Sequence, residues 1–300
     1  MIKGIFRQAA DQPHVPLRRR LLDAAQPLPA PPFGRDVRAD DSSGLATIAR
    51  EQLSAHGAAV VRLDRPLDAE EFLAFGATLG TAQPELAPAV QPFVESEVIL
   101  NLVTTSPATI DTDLQPFAAN WLSLHTESSG APVPVQPRYI VLMCVTPGDD
   151  PRCARTVLLP MREVYGRLSE RDREVLRSLR YEQGDPPPIL RIADGRPVFS
   201  VRDFQEDPLN WVHDGPLDAP DEVNAVLARM YAAMYGSPGF GVRWDRGLLV
   251  VIDNAVHFHG RTAGVAAPPG STRHLKRLRI GANRPQPVLT GSQPHPATVR

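Results

Sequence analysis

Hydrophobic positions recur at helical spacing in two places early in the chain. Residues 44–56 carry apolar side chains at the period of a helix, and Gly57 interrupts that period. A second helix is predicted over 68–79, because Asp68 precedes acidic residues in the first turn and Gly80 follows the last. The apolar run 58–62 between them predicts a strand. The body of the protein therefore opens with the order helix, strand, helix.

Short apolar runs rich in β-branched residues dominate the later part of the chain. They predict strands over 139–145, 156–159 and 198–201, a strongly β segment over 247–258, and a last strand over 272–280. Helical spacing returns over 164–179, with Ser169 as a predicted cap, and over 221–235. Strands and helices do not alternate regularly. This order favours a mainly β protein with helical insertions, built as a barrel or sandwich with helices on one side.

The two ends of the chain lack periodicity. Residues 1–40 are rich in Pro, Arg and Asp and predict an irregular N-terminal arm, and residues 285–300 predict an irregular tail. We expect one domain over 41–284, with a helical insertion around 161–240. The 32 prolines among 300 residues suit short elements joined by rigid turns.

Composition excludes several classes of function. The 32 basic and 34 acidic side chains nearly balance, so nucleic acid is not an expected partner. The longest purely apolar run, 139–145, is too short to span a bilayer. Two cysteines cannot form a disulfide scaffold or a four-cysteine zinc site, and the N-terminus lacks the pattern of a signal peptide. We expect a cytoplasmic protein that acts on a small molecule.

Candidate chemistry begins at His125-Thr126-Glu127, where a histidine is followed two positions later by an acid. Side chains at i and i+2 of a strand share one face, so this pair could bind one metal ion. A second histidine would complete a set of two histidines and one carboxylate, which leaves three positions of iron(II) open for oxygen chemistry. The alternative is an ordinary polar strand end.

Two histidines, His257 and His259, are candidates for the distant ligand, and spacing does not choose between them. We interpret His213, beside Asp214 in a predicted loop, as a solvated or capping residue. The remaining four histidines lie in the arm, at a helix end, in a basic strand and in the tail, and we set them aside: His14, His56, His274 and His295.

Arg273 and Arg277 share one face of the last predicted strand, roughly 13 Å apart. They could reach different groups in one cavity. A guanidinium clamps a carboxylate with two hydrogen bonds, and an iron-bound 2-oxo acid has a distal carboxylate that needs such a partner. The alternative is a basic exposed strand, since Lys276 and Arg279 also lie there.

Together, His125-Thr126-Glu127, Asp253-Asn254 and His259-Gly260-Arg261-Thr262 resemble the motifs of the taurine dioxygenase and clavaminate synthase-like family of iron(II)/2-oxoglutarate-dependent oxygenases. The His-Thr-Glu sequence is most similar to the clavaminate synthase branch, because the taurine branch usually has His-x-Asp. The resemblance extends over about 44–284. It implies a double-stranded β-helix (jelly roll) in which His125, Glu127 and His259 hold Fe(II), with 2-oxoglutarate and O2 as cosubstrates.

The resemblance also implies roles outside the metal ligands. Arg273 lies fourteen residues after His259 and matches the arginine that binds 2-oxoglutarate, and Thr156 matches a threonine that assists. Arg277 matches the arginine that holds the substrate carboxylate in amino-acid-oxidising members, and Glu127 is expected to accept from the substrate amine. His257 departs from an expected apolar position, so a ligand swap or a supporting role stays open.

The acidic substrate-reading segment of the family is only loosely matched by 201–207. Asp203 is its predicted contact with a basic substrate side chain, with Asp207 and Asp214 as further candidates. The alternative is a solvated loop.

We therefore expect an enzyme that hydroxylates or desaturates a C–H bond of an amino acid or an amino-acid-derived natural-product intermediate. Glu127 fills the carboxylate position, which leaves no place for a halide on the metal. Three alternatives remain: the same chemistry on another small molecule or on a carrier-bound aminoacyl group, a zinc hydrolase, and a non-catalytic β-helix binding protein.

Overall fold

The structure is a computed structural model that describes residues 1–23, 27–104, 109, 114–148, 154–205, 207–264 and 272–282. The predicted irregular tail, 285–300, lies outside these residues, as does His295.

Six α-helices lie within the described ranges: α1 (His14–Leu22), α2 (Ser42–His56), α3 (Ala69–Leu79), α4 (Met161–Arg167), α5 (Glu170–Arg177) and α6 (Pro220–Gly236). Their ends follow the sequence signals. Gly57 takes a left-handed φ of 71° at the end of α2. Asp68 and Glu71 form a reciprocal capping box on α3, and the Ser169 hydroxyl accepts from the amide of Asp172 on α5. None of the six combines the length and the apolar character that a membrane-crossing helix requires.

Seventeen strands lie in the same ranges: β1 (Ile2–Phe6), β2 (Arg35–Val37), β3 (Ala58–Leu63), β4 (Thr81–Ala82), β5 (Val94–Glu95), β6 (Ile99–Val103), β7 (Leu122–His125), β8 (Tyr139–Thr146), β9 (Thr156–Pro160), β10 (Leu179–Tyr181), β11 (Leu190–Ala193), β12 (Arg196–Phe199), β13 (Leu209–His213), β14 (Phe240–Val242), β15 (Leu248–Asp253), β16 (His257–Arg261) and β17 (His274–Gly281). The predicted framework of short strands with flanking helices is confirmed. The insertion around 161–240 holds α4, α5 and α6 but also β10 to β13, so the expectation of a helical insertion is only partly right.

Two larger sheets form the centre of the molecule. One has eight strands in the order β2-β3-β15-β8-β17-β6-β5, with β4 beside β17, and the other has four in the order β14-β9-β16-β7. A hydrophobic cluster joins them, because Leu142 and Val250 of the first sheet pack with Leu158 and Val242 of the second. The eight-stranded sheet carries α2 and α3 on its other face, and the four-stranded sheet packs against α4 to α6. Burial of apolar surface in these layers is the main stabilising contribution.

A sharp corner links the two sheets. The segment 247–258, predicted as one β segment, forms two strands, since β15 ends at Asp253 in the eight-stranded sheet and β16 begins at His257 in the four-stranded sheet. The Asp253 carboxylate holds the corner by accepting from the amide of Ala255 at 2.9 Å and from Arg138 at 2.6 Å. Asn254 therefore lies at the junction of the sheets.

The prediction of an irregular N-terminal arm is wrong for three segments. Strand β1 pairs antiparallel with β13, α1 packs against α6, and β2 pairs parallel with β3. Their partners are distant in sequence, so local periodicity does not reveal them. His213 is also not a solvated loop residue: it lies in β13 between β1 and β10 and is fully buried. This burial lowers the pKa of His213.

A buried polar network fastens the N-terminal segment to the body. The Asp203 carboxylate accepts from Arg18 at 2.9 Å, from the Tyr235 hydroxyl at 2.5 Å, and from Gln8. The Asp203 side chain is 0% exposed and that of Arg18 is 10% exposed. A buried ion pair of this kind becomes costly when one partner is removed.

Asp203→Asn should lower the free energy of unfolding by about 3–5 kcal/mol, because Arg18 would stay buried without a carboxylate. Urea denaturation followed by circular dichroism measures this change. Asp207→Asn is the matched control, since Asp207 is exposed and its variant should stay within about 0.5 kcal/mol of the wild type. Equal stability of the two variants would contradict a structural role for Asp203.

Candidate metal centre

A cavity of about 660 Å³ lies between the two larger sheets. Its lining includes a group of two histidines and a carboxylate, several arginines, and an apolar wall formed by Leu100, Leu102, Leu142 and Leu275. Such a mixture of apolar surface and a few convergent polar groups is typical of a small-molecule site.

Strand pairing brings the two histidines together. His125 and His259 are direct antiparallel partners on β7 and β16, with ring centroids 4.3 Å apart. Glu127 follows β7, and its Oε2 lies 3.7 Å from Nε2 of His125 and 3.8 Å from Nε2 of His259. One ligand atom from each residue lies within 4.8 Å of the other two. Nitrogen and oxygen ligands bind a transition metal at about 2.0–2.2 Å, so these three side chains fit one ion.

The electrostatic environment gives Glu127 and His259 the protonation states that metal ligands need. Burial alone would raise the pKa of Glu127, but the charge of Arg277 and the adjacent imidazoles of His125 and His259 hold it well below its usual range. Burial, and then the neighbouring His125, lowers the pKa of His259 to about 4. Near neutral pH Glu127 is therefore ionised and His259 is neutral. The His125 Nδ1 contacts the Ser123 carbonyl at 2.8 Å, which leaves its Nε2 directed to Glu127.

Asn254 at the corner between the sheets fixes the main chain of Glu127. Its Oδ1 accepts from the Glu127 amide at 2.8 Å, and its Nδ2 donates to the carbonyls of Glu127 at 3.1 Å and Pro137 at 3.0 Å. The sequence motif pointed to Asn254 but not to this role. The contact explains how a residue outside a regular strand keeps a fixed position beside the histidines.

Three arginines at or just before β17 line the cavity: Arg273, which immediately precedes the strand, and Arg277 and Arg279 within it. Arg277 Nη2 donates to Oε1 of Glu85 at 2.8 Å, and Arg279 Nη2 lies 3.0 Å from its Oε2. Arg277 Nη1 also lies 3.6 Å from Oε1 of Glu127. Arg277 therefore lies in the cavity as expected, where it is already paired with Glu85. Sequence reasoning missed Glu85, which no local motif marks, and took Arg279 for generic surface charge.

Arg273 and Thr156 line another part of the same cavity. Arg273 is 7% exposed, and its Nη1 donates to the carbonyl of Ala154 at 3.4 Å. Trp244 Nε1 donates to the Thr156 hydroxyl at 3.2 Å. Nearby Arg261 donates to three main-chain carbonyls, and burial together with the charge of Arg273 lowers the pKa of Arg261 to about 9.

The structure does not bring His257 into the metal-binding group. His257 lines a separate cavity of about 380 Å³, together with His56 and Arg162. Burial lowers its pKa to about 4. Of the two histidines that spacing left open, the structure thus favours His259.

The predicted substrate contact by Asp203 is wrong. Its carboxylate lies in the network with Arg18 and does not line the cavity. Asp207 and Asp214 do not line it either, and Asp214 forms an exposed ion pair with Arg180. Arg202, the residue before Asp203, does line the cavity, and sequence reasoning missed it.

Comparison with known proteins decides the class of this site. A family model described as taurine catabolism dioxygenase TauD, TfdA family matches residues 24–279. The chain belongs to this family. The enzyme is therefore an iron(II)/2-oxoglutarate-dependent oxygenase, as its motifs predicted, and the donor set of two imidazoles and one carboxylate fits iron(II). No curated protein matches the chain significantly.

Solved structures of similar fold include three oxygenases. Asparagine oxygenase in complex with Fe(II), 2S,3S-3-hydroxyasparagine and succinate is 18% identical, with 81% of this chain and 78% of that chain covered and a TM-score of 0.59. PvcB, an Fe, alpha-ketoglutarate dependent oxygenase from an isonitrile synthetic pathway, is 24% identical, with 86% and 91% covered and a TM-score of 0.60; PvcB from Pseudomonas aeruginosa gives 22% identity. OrfP in complex with Fe and alpha-ketoglutaric acid is 19% identical, with 80% of each chain covered and a TM-score of 0.58.

Asn254→Ala should weaken Fe(II) binding by about 10- to 100-fold, because the main chain of Glu127 would lose both of its contacts to the corner. Anaerobic titration calorimetry measures this affinity. Asn224→Ala is the matched control: Asn224 also makes two amide hydrogen bonds, to Trp211 and to the carbonyl of Ile5, but does not line the cavity. A loss of affinity in both variants would show a general effect of destabilisation.

Proposed function

We propose that the enzyme oxidises a C–H bond of an amino acid or an amino-acid-derived molecule, with Fe(II) held by His125, Glu127 and His259. The observation that carries this proposal is the convergence of these three side chains in a cavity that arginines line on the opposite sheet. The two facing sheets that enclose the cavity are consistent with a double-stranded β-helix. Family membership leaves the zinc hydrolase and the non-catalytic binding protein without support.

Bound iron(II), with 2-oxoglutarate and O2, would supply the oxidising chemistry. His125, Glu127 and His259 would hold the ion and leave it open to the cosubstrate and oxygen. The protein chain would position the substrate relative to the metal. Its apolar wall excludes water from the reacting carbon, and its charged groups fix the orientation of the substrate.

Arg273 and Thr156 would bind the distal carboxylate of 2-oxoglutarate. Both line the cavity, and both side chains are buried. A guanidinium and a hydroxyl in a site of low dielectric make strong hydrogen bonds to a carboxylate. Arg261, by contrast, donates to three main-chain carbonyls and would therefore stabilise the cavity wall rather than bind a ligand.

Arg277 would hold the carboxylate of the substrate. In the structure it donates to Glu85, so a carboxylate already occupies one edge of its guanidinium. Because a guanidinium has five N–H donors, a substrate can bind beside Glu85 or replace it on Arg277. An amino-acid substrate agrees with the relatives whose structures contain hydroxyasparagine or (3S)-hydroxy-L-Arg.

His259→Ala should abolish tight Fe(II) binding, whereas His257→Gln should retain it, because only His259 belongs to the group around Glu127. The visible absorption band that Fe(II) and 2-oxoglutarate form together, recorded without oxygen, reports the outcome. Loss of the band in the His257 variant alone would assign the ligand to His257 and refute our choice.

Arg273→Met should raise the KM for 2-oxoglutarate by about 10- to 100-fold, since a charge-assisted hydrogen bond contributes about 1.5–3 kcal/mol. Succinate formation measured against 2-oxoglutarate concentration gives this value. Arg162→Met, which removes an arginine whose side chain is 78% exposed, is the control and should leave the KM unchanged. An unchanged KM in the Arg273 variant would place the cosubstrate elsewhere.

A further inference from the structure

We propose that Arg202 binds an anionic group at the far end of the substrate, so that the substrate is an amino acid with an acidic side chain. This inference rests on the proposed function and deepens it. It replaces the basic side chain that the sequence suggested.

Arg202 has a fixed position beside the metal group. An antiparallel bridge joins it to His125, and it lines the cavity. Both of its main-chain polar atoms are occupied, because its amide donates to the Tyr181 hydroxyl at 2.8 Å and its carbonyl accepts from the Tyr231 hydroxyl at 2.9 Å. The base of the side chain is therefore anchored by two buried phenols.

The charge of Arg202 is not neutralised within the described part of the chain. Its Nη2 donates at 2.9 Å to Oε1 of Gln115, which is a neutral amide. Arg277 and Arg279 instead share the carboxylate of Glu85. Asp203, the nearest acid in sequence, extends to the opposite side and pairs with Arg18. A partly buried guanidinium that pairs with none of the described carboxylates is suited to an anionic ligand.

The charge balance of the cavity also favours an anionic substrate. Its described lining contains five arginines and two glutamates, a surplus of three positive charges. Fe(II) and the two carboxylates of 2-oxoglutarate cancel each other, so the surplus persists in the loaded enzyme. A substrate with a net negative charge reduces it, whereas a lysine or arginine substrate increases it in a site of low dielectric.

Arg277 and Arg202 come from different walls of the cavity. Arg277 lies on β17 of the eight-stranded sheet, and Arg202 lies beside β7 of the four-stranded sheet. A substrate with a carboxylate at each end can therefore contact both walls, with its methylene groups against the apolar lining of the cavity. Such two-point binding fixes which carbon faces the metal.

The test is a panel of free amino acids: L-aspartate, L-glutamate, L-asparagine, L-glutamine, L-arginine and L-lysine. Each is added to the iron-loaded enzyme with saturating 2-oxoglutarate, and succinate formation is compared with the rate without amino acid. We expect aspartate or glutamate to stimulate, its amide to stimulate less, and the basic amino acids to have no effect.

Arg202→Met should lower kcat/KM for the stimulating acid by about 10- to 100-fold, and Arg202→Lys should restore part of it. The KM for 2-oxoglutarate should not change, which distinguishes Arg202 from Arg273. Arg162→Met again serves as the control and should behave as the wild type.

The proposal would be overturned by stimulation by a basic amino acid at least as strong as by an acidic one, by no effect of Arg202→Met, or by no stimulation by any of the six. Inhibition by aspartate that excess 2-oxoglutarate relieves would also overturn it, because the acid would then occupy the cosubstrate site. The Fe(II)/2-oxoglutarate absorption band and slow succinate formation without amino acid test the oxygenase chemistry separately, so failure of this proposal is distinguishable from failure of the proposed function.

Discussion

The pairing of β7 with β16 is the constraint on which the rest of the site depends. It sets His125 directly opposite His259 across one antiparallel register, although they lie 134 positions apart in the chain. A slip of one residue would turn either histidine to the other face of the sheet. Asn254 fixes the position of Glu127, the third residue of the group, because it hydrogen-bonds the main chain of Glu127 to the junction of the two sheets. Strand register and a single amide therefore determine the geometry of the metal group.

Buried charge is distributed unevenly around this group. The arginines of β17 are balanced in part by Glu85 and Glu127, and Arg261 is solvated by main-chain carbonyls. Arg202 donates to the neutral amide of Gln115, and no carboxylate of the described residues pairs with it. Glu85 keeps the arginines of β17 paired and ordered in the absence of ligand, so the site is organised before a substrate carboxylate arrives.

The residues of the metal group could be predicted from local sequence, but the residues around them could not. His125, Glu127 and His259 stand in short motifs, and Arg273 follows at a fixed distance, so their positions could be predicted from spacing and resemblance. The neighbours Arg202 and Asp203 show why the rest could not. Both lie in the segment expected to read the substrate, yet the direction of each side chain depends on strand parity and on Arg18, a residue 185 positions away. The strands and helix of the N-terminal segment escaped prediction for the same reason, because their partners are remote in sequence.

The contact between Asp203 and Arg18 joins the first helix to the residue that follows Arg202. The opening twenty or so residues thus support one wall of the cavity from outside, because neither Arg18 nor Asp203 lines the cavity itself. Substitutions in this segment would act on the position of Arg202 without altering any of the three residues proposed to hold iron. Truncation of the N-terminus would accordingly change substrate recognition rather than iron binding.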